Sequence, residues 1–366
     1  MRLVSIDMLT SDMTLAIPVY CKDALVIPEG RNHIDKYIPN LNNMGIQYVY
    51  IEDVLSKDII IPDAISTKTR NVCKSILRST LLDYTGKNEL KIYKITNSLE
   101  HVILEILQNQ DVQVSLNDIG TLDEETYVHS VNVAIYSLLM GKALNYSKKR
   151  LEELAMGTIL HDIGKTLIEP KLQFKKGRFS ASEFAQMKKH AEMGYYILEK
   201  GTKLPEETKR IALNHHERMD GSGYPSGLKG EELNEFEKIV MIADVYDSLI
   251  SSRCYKKKWP IAKAVDFLIE KAGTLSSPEL VQLFIQQIAI YPNGSMVLLS
   301  DGNIGIVKEQ NRHVPMRPII RIFKNAKGVE ITPFEVDLME VLSVTIVDSQ
   351  LEITEYQKNR AGLLGI

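Results

Sequence analysis

From residue 121 to residue 290 the sequence is almost wholly helix-patterned, with histidines and acids set among the apolar positions at intervals. Such a span is mainly α, and its polar side chains meet only if several helices carry them to one place. The flanks read differently. Residues 1–62 mix short β-rich runs (LAIPVY, ALVI, YVYI) with turn signals at Pro28-Glu29-Gly30 and Pro39-Asn40 and a helix near Asn32 to Met44, so a small β-rich N-terminal domain is expected. Residues 63–120 carry helical stripes, Val72, Ile76, Leu77 and Leu81 and then Ile95, Leu99, Val102, Ile103 and Ile106, which suit a helical connector and are a candidate for pairing two copies into a homodimer. At Tyr291-Pro292-Asn293-Gly294 the helical period breaks, and SMVLL, NIGIVK and PIIRIF alternate with turns, giving a small β-rich C-terminal module over 291–366.

A length of 366 residues allows two or three domains, and a net charge of -3 argues against a nucleic-acid polymer as partner while leaving room for a local basic pocket. The three cysteines, Cys21, Cys73 and Cys254, are unpatterned, so neither a disulfide framework nor a thiolate metal site is expected. The N-terminus shows no basic region followed by an apolar one, and no apolar run approaches the roughly eighteen residues of a membrane span; a cytoplasmic protein without a membrane segment is expected.

In IALNHHERMDGSGYP, residues 211–225, two histidines close a helix that Pro205, Glu206 and Glu207 begin, and Asp220-Gly221 with Gly223-Tyr224-Pro225 supplies a turn. His215 and His216 point about 100° apart, so they reach one ion only at a cavity rim, or serve two neighbouring tasks; the alternative is a solvated helix end. Glu125 and His129 fall on one helix face at i, i+4 spacing. LEELAMGTILHDIGK delivers His161 and Asp162 side by side, breaks at Gly164, and places Lys165 where a phosphate oxygen could bind. A carboxylate has two oxygens, which makes Asp162 a natural bridge between two cations, although a His-Asp pair can also be a solvated helix end. His190 precedes Gly194, whose missing side chain would admit another helix. Asp244 and Asp247 lie on an otherwise apolar helix and need partners if buried; Asp247 could instead face water.

With His129, HDIGK at 161–165, His190 and Gly194, HHERMDGSGYP at 215–225 and Asp244, the segment 121–290 resembles the HD-GYP domain, a branch of the HD-superfamily metal-dependent phosphohydrolases. The resemblance implies hydrolysis of the bacterial second messenger cyclic di-GMP to linear pGpG, and in some members onward to GMP, at two or three divalent transition-metal ions, iron or manganese. It implies His129, His161, Asp162 and Asp244 around one ion, His190, His215 and His216 around the other, Asp162 between them, and Glu125 at a third. Lys165 resembles the phosphate-contacting lysine, and Asp247, Arg253 and Lys256 fall where some members hold substrate. Tyr224, a further candidate substrate contact, belongs to the loop that in the family borders the site and has been linked to partner binding, a diguanylate cyclase among the candidates. Ala191 departs from the family's more usual proline, which bears on helix entry. The rival readings are a low-activity cyclic di-GMP receptor or scaffold, and a phosphohydrolase for another nucleotide such as cyclic GMP-AMP.

Overall fold

The computed structural model describes residues 1–21, 24–44, 46, 48–87, 90–109, 125–175, 177–251, 259–311 and 314–349. They belong to two compact units, one drawn from Met1–Asp63 and Ile288–Ile366, the other from Ala64–Val112 and Leu122–Gln287.

The first unit is built from strands. β1 (Arg2–Ser5), β2 (Thr14–Leu15), β3 (Val19–Cys21), β4 (Ala24–Ile27), α1 (Ile38–Asn43) and β5 (Tyr48–Glu52) come from the N-terminal side. An antiparallel sheet of order β1-β5-β2 and the β3-β4 pair enclose Ile27, Ile34, Leu41 and Ile51, which are fully buried. β6 (Met296–Leu299), β7 (Ile304–Glu309), β8 (Ile319–Lys324), β9 (Glu330–Asp337) and β10 (Ile346–Ser349) form one antiparallel sheet of order β10-β6-β7-β8-β9. The sequence suggested β6 to β8 but not β1, β9 or β10. β9 carries Pro333, which a strand tolerates because β9 is a sheet edge.

The sequence reading treats the two ends as separate modules, whereas the structure joins them. Leu3 N–H donates to Gly294 O at 3.1 Å, Asn293 Nδ2 donates to Ile60 O at 2.8 Å, and Arg321 reaches both oxygens of Asp58 at 2.6 Å. Ile59 packs with Ile306 and Phe323. The N-terminal sheet keeps a core of its own, and the segment after β5, through Leu55 and Ile59, covers part of the apolar face of the C-terminal sheet.

The second unit is helical: α2 (Thr67–Lys87), α3 (Ile92–Gln108), α4 (Glu125–Ala143), α5 (Lys148–Ile159), α6 (Pro170–Gln173), α7 (Ala181–Lys188), α8 (His190–Gly201), α9 (Glu206–Asn214), α10 (Glu235–Ile250), α11 (Ile261–Glu270) and α12 (Pro278–Gln287). α4 lies at its centre. Every residue from His129 to Gly141 is buried, which suits a helix apolar on nearly all sides. α5 and α10 pack against it, and Tyr136, Tyr246 and Phe284 lock α4, α10 and α12 through edge-to-face rings 5.0 to 5.7 Å apart. Among the described residues no helix is long and apolar enough to cross a membrane.

Candidate metal centre

Two helices, α5 and α9, stop just before candidate ligands. α9 opens at Pro205 with Glu206 and Glu207 in its first turn and stops at Asn214, which leaves His215 and His216 at its C-terminal end. The chain then turns sharply. Asp220 Oδ1 accepts from Ser222 N–H at 2.9 Å, Gly221 sits at φ +80°, and a Cβ on Gly223 would lie 2.3 Å from Glu217 Cα.

α5 ends at Ile159, a little before the pair it was expected to carry, and His161 and Asp162 occupy the turn leading into a short 3-10 segment, Ile163–Leu167. Gly164 lets this turn pass close to α8. A Cβ there would lie 1.9 Å from the His190 carbonyl oxygen, so this turn crosses the start of α8 with no side chain between. Gly194 lines the same crossing from the other side, where a Cβ would lie 3.3 Å from Gly164 N.

The ring nitrogens are then fixed by the main chain. His161 donates Nδ1–H to Thr158 O at 2.6 Å, His190 to Met187 O at 2.6 Å, and His215 to Ala212 O at 3.0 Å. A carbonyl only accepts, so in each neutral ring Nδ1 holds the hydrogen and Nε2 presents a lone pair. Those lone pairs converge. His190 Nε2 lies 3.2 Å from His215 Nε2, and Asp162 Oδ1 lies 3.4 Å from the first and 3.7 Å from the second. Asp162 Oδ2 is 3.4 Å from His161 Nε2.

Across the site His129 stands between two carboxylates, Nε2 at 3.0 Å from Asp244 and Nδ1 at 2.6 Å from Asp247, which also accepts from Asn132 Nδ2 at 3.0 Å. His216 Nδ1 is 3.7 Å from the second Asp244 oxygen.

Protonation follows from these surroundings. Burial alone would lower His129, but its hydrogen bonds to Asp244 and Asp247 raise it to about 9. Burial lowers His190, lowers His215 further with the help of His216 and His161, and pushes His216 down to about 3. Against burial, Lys165 and His161 hold the Asp162 carboxyl well below the usual range, and the His129 hydrogen bond does the same for Asp244. Lys165 Nζ donates to Asp162 Oδ2 and keeps part of its side chain exposed at the rim.

The structure therefore brings seven of the expected ligands into two groups, Asp162 with His190, His215 and His216, and His129 with His161 and Asp244; donor atoms within each group lie inside 4.8 Å. Two observations test the fit of cations here. The buried atoms His161 Nε2 and Asp162 Oδ1 have no hydrogen-bond partner, and two imidazole lone pairs face each other beside a carboxylate. Both are unfavourable for polar groups in a low dielectric and both are relieved by a cation, so the donor set fits metal.

Tyr224 lies against His216, ring centroids 4.7 Å apart. Asp247, expected as a substrate contact, is fully buried with its two oxygens taken by His129 and Asn132, which leaves neither oxygen open to a substrate. Arg253 and Lys256 lie outside the described residues, and so does the side chain of Glu125, whose backbone opens α4. Sequence reasoning missed Asn132, hidden in an apolar run, and Glu217, a buried acid whose oxygens accept from Ser226, Gly227 and Leu228 N–H at 2.7 to 3.1 Å and so shape the Tyr224 loop. The acid ending the HHE run was the available signal.

Residues 110–280 match a family model described as HD domain, and residues 296–359 match one described as KOW domain associated with HD domain. The chain is 30% identical to a cyclic di-GMP phosphodiesterase of Pseudomonas aeruginosa over 63% of this chain and 55% of that protein. It is 31% identical to a 3'3'-cGAMP-specific phosphodiesterase of Vibrio cholerae over 54% of this chain and 39% of the other, and 36% identical to a cyclic di-GMP phosphodiesterase of Thermotoga maritima over 45% of each. The chain thus spans about half the length of these curated relatives or less.

Proposed function

We propose, from the premise that residues 110–280 are an HD domain of the HD-GYP family, that this chain hydrolyses cyclic di-GMP to linear pGpG, with GMP as a further product. The observation that carries the reading is the meeting of His190 Nε2 and His215 Nε2 at the Asp162 carboxylate, with Lys165 on the other oxygen of that same carboxylate. A receptor or scaffold has no need of so many converging donors beside an ammonium.

His190, His215 and His216 would hold one cation and His129, His161 and Asp244 the other, with Asp162 reaching both. Nitrogen and carboxylate donors without thiolate suit iron, manganese or zinc, of which the family resemblance favours iron or manganese, and Glu125 is the candidate for a third ion. Bound divalent cations supply Lewis acidity and ionise water near neutral pH, which is the chemistry a phosphodiester bond requires.

The protein does the positioning. Main-chain carbonyls hold three imidazoles in the ligating tautomer, and Asp247 with Asn132 aims His129. Lys165 has three N–H donors and gives one to Asp162, so it can also bind a phosphoryl oxygen as negative charge develops there. Tyr224 closes the side of the site next to His216.

The similarity to the cyclic GMP-AMP enzyme keeps a second substrate in view, with the same chemistry and a different base. Pairing of two copies through α2 and α3 is supported by the exposed Val72, Leu82, Leu104 and Leu107, and docking of a diguanylate cyclase by the exposed Asp220, Ser222 and Ser226 of the Tyr224 loop. Incubating the metal-reconstituted chain with cyclic di-GMP and with cyclic GMP-AMP, and identifying products chromatographically, tests the proposal. Linear dinucleotide from cyclic di-GMP supports it; neither substrate being opened removes it.

A further inference from the structure

α7 has no part in the chemistry above. It buries none of its residues, yet it is tied down twice: Ser180 and Glu183 form a capping box at its start, and Lys175 Nζ donates to both Glu183 oxygens at 2.7 and 2.6 Å. What this helix presents is Phe184 and Lys188, one turn apart on one face. Both are turned to Tyr224. The Phe184 and Tyr224 rings meet edge to face at 6.2 Å, and Lys188 Nζ lies 4.8 Å from each centroid. Tyr224 in turn lies on His216 at 4.7 Å and 34°. A series of rings therefore leads outward from a candidate metal-ligating imidazole, with one ammonium lying over the two outer rings, and its outermost member keeps 45% of its surface exposed. An exposed phenyl ring on a solvated but braced helix adds little to folding, and a flat apolar face beside a cation suits a flat aromatic ligand with acceptors on its edge.

We infer that Phe184, Tyr224 and Lys188 form a nucleobase subsite, in which a purine of the bound phosphodiester takes the place of the Lys188 ammonium on the Phe184 face and presents its edge to the displaced lysine tip. Stacking on an aromatic ring accepts any base, whereas an ammonium next to the edge discriminates. Guanine offers O6 and N7, two acceptors, and adenine offers N7 with an N6 donor, so Lys188 favours guanine. The inference rests on the phosphodiesterase reading, because the base reaches Phe184 only if its phosphate is held at the cations.

Calorimetric titration of the manganese-loaded full chain with GMP, AMP and ribose 5-phosphate separates the two ideas without turnover. The wild type should bind GMP more tightly than ribose 5-phosphate. Phe184→Ala should weaken GMP roughly 5- to 100-fold and leave ribose 5-phosphate unchanged, while Phe184→Trp restores GMP binding. Lys188→Gln should narrow the gap between GMP and AMP. Equal wild-type affinity for GMP and ribose 5-phosphate, or equal weakening of both by Phe184→Ala, overturns the subsite and leaves the phosphodiesterase reading standing. No binding of any of the three by the wild type overturns both.

Discussion

His190 and His215 aim their Nε2 atoms at each other across 3.2 Å, although each has already given its Nδ1 hydrogen to a main-chain carbonyl. Two lone pairs held that close repel, and the Asp162 oxygen beside them adds negative charge. A positive ion among the three turns repulsion into ligation.

Lys165→Ala removes an ammonium from the rim and no ligand. Metal content is expected to stay at the wild-type level while hydrolysis slows by about 100-fold or more, the scale of losing one well-placed donor to a charged transition state. Parallel elemental analysis and steady-state kinetics check it, and an unchanged kcat would remove Lys165 from the reaction.

Asp247→Ala deletes an orienting group that touches no ion. The outer partners of metal-bound histidines are worth about 10- to 100-fold in metal affinity, so the His129 group should lose its ion to a chelator at correspondingly lower concentration. The buried Asn132 amide left without its acceptor should also lower stability by about 1–3 kcal/mol. A chelator titration beside urea unfolding measures both, and wild-type metal retention would return Asp247 to a different role.

Acid should empty the two groups in order. An imidazole that holds a proton cannot ligate, and in the metal-free site Asp244 and Asp247 raise His129 to about 9 against its burial, so a proton competes with the ion for this group below that pH. His190, His215 and His216 are lowered, His216 to about 3, and Asp162 and Asp244 stay ionised. Going from pH 8 to pH 5.5, the ion at His129, His161 and Asp244 should leave first and the ion at His190, His215 and His216 should remain. Metal content after gel filtration at each pH reads this directly; simultaneous loss of both ions would contradict it.

Gly164→Ala forces a methyl group onto the His190 carbonyl, where a Cβ would lie 1.9 Å from the oxygen. Main chain rather than a flexible side chain must give way, so a loss of at least about 1–3 kcal/mol is expected in urea unfolding, together with weaker metal binding as His190 shifts. Wild-type stability would show that the crossing is looser than described.

Much of the site was legible because each ligand lies in a local signal: Asp162 in a turn marked by Gly164, His215 and His216 at a helix end followed by a glycine-rich loop. The i, i+3 relation of Asp244 to Asp247 was visible too, and the resemblance gave Asp244 to the cation group, but that both acids close on His129 was not visible, because an apolar helix buries both alike. Phe184 gave no signal, since an exposed ring on a short polar helix looks like any surface residue until Tyr224 is placed beside it. The strand-rich ends could be read from composition, whereas the bond from Leu3 to Gly294 joins segments that no local pattern connects.

Asp162 is proposed to join two cation groups that drive phosphodiester hydrolysis. Elemental analysis of anaerobically purified wild type and Asp162→Ala, each assayed for linear product from cyclic di-GMP, decides the matter. At least two transition-metal ions per chain with hydrolysis are expected in the wild type, and loss of both metal and hydrolysis in the variant. A folded wild type that opens the cyclic dinucleotide with no bound transition metal, or a variant that keeps full metal and turnover, would contradict it.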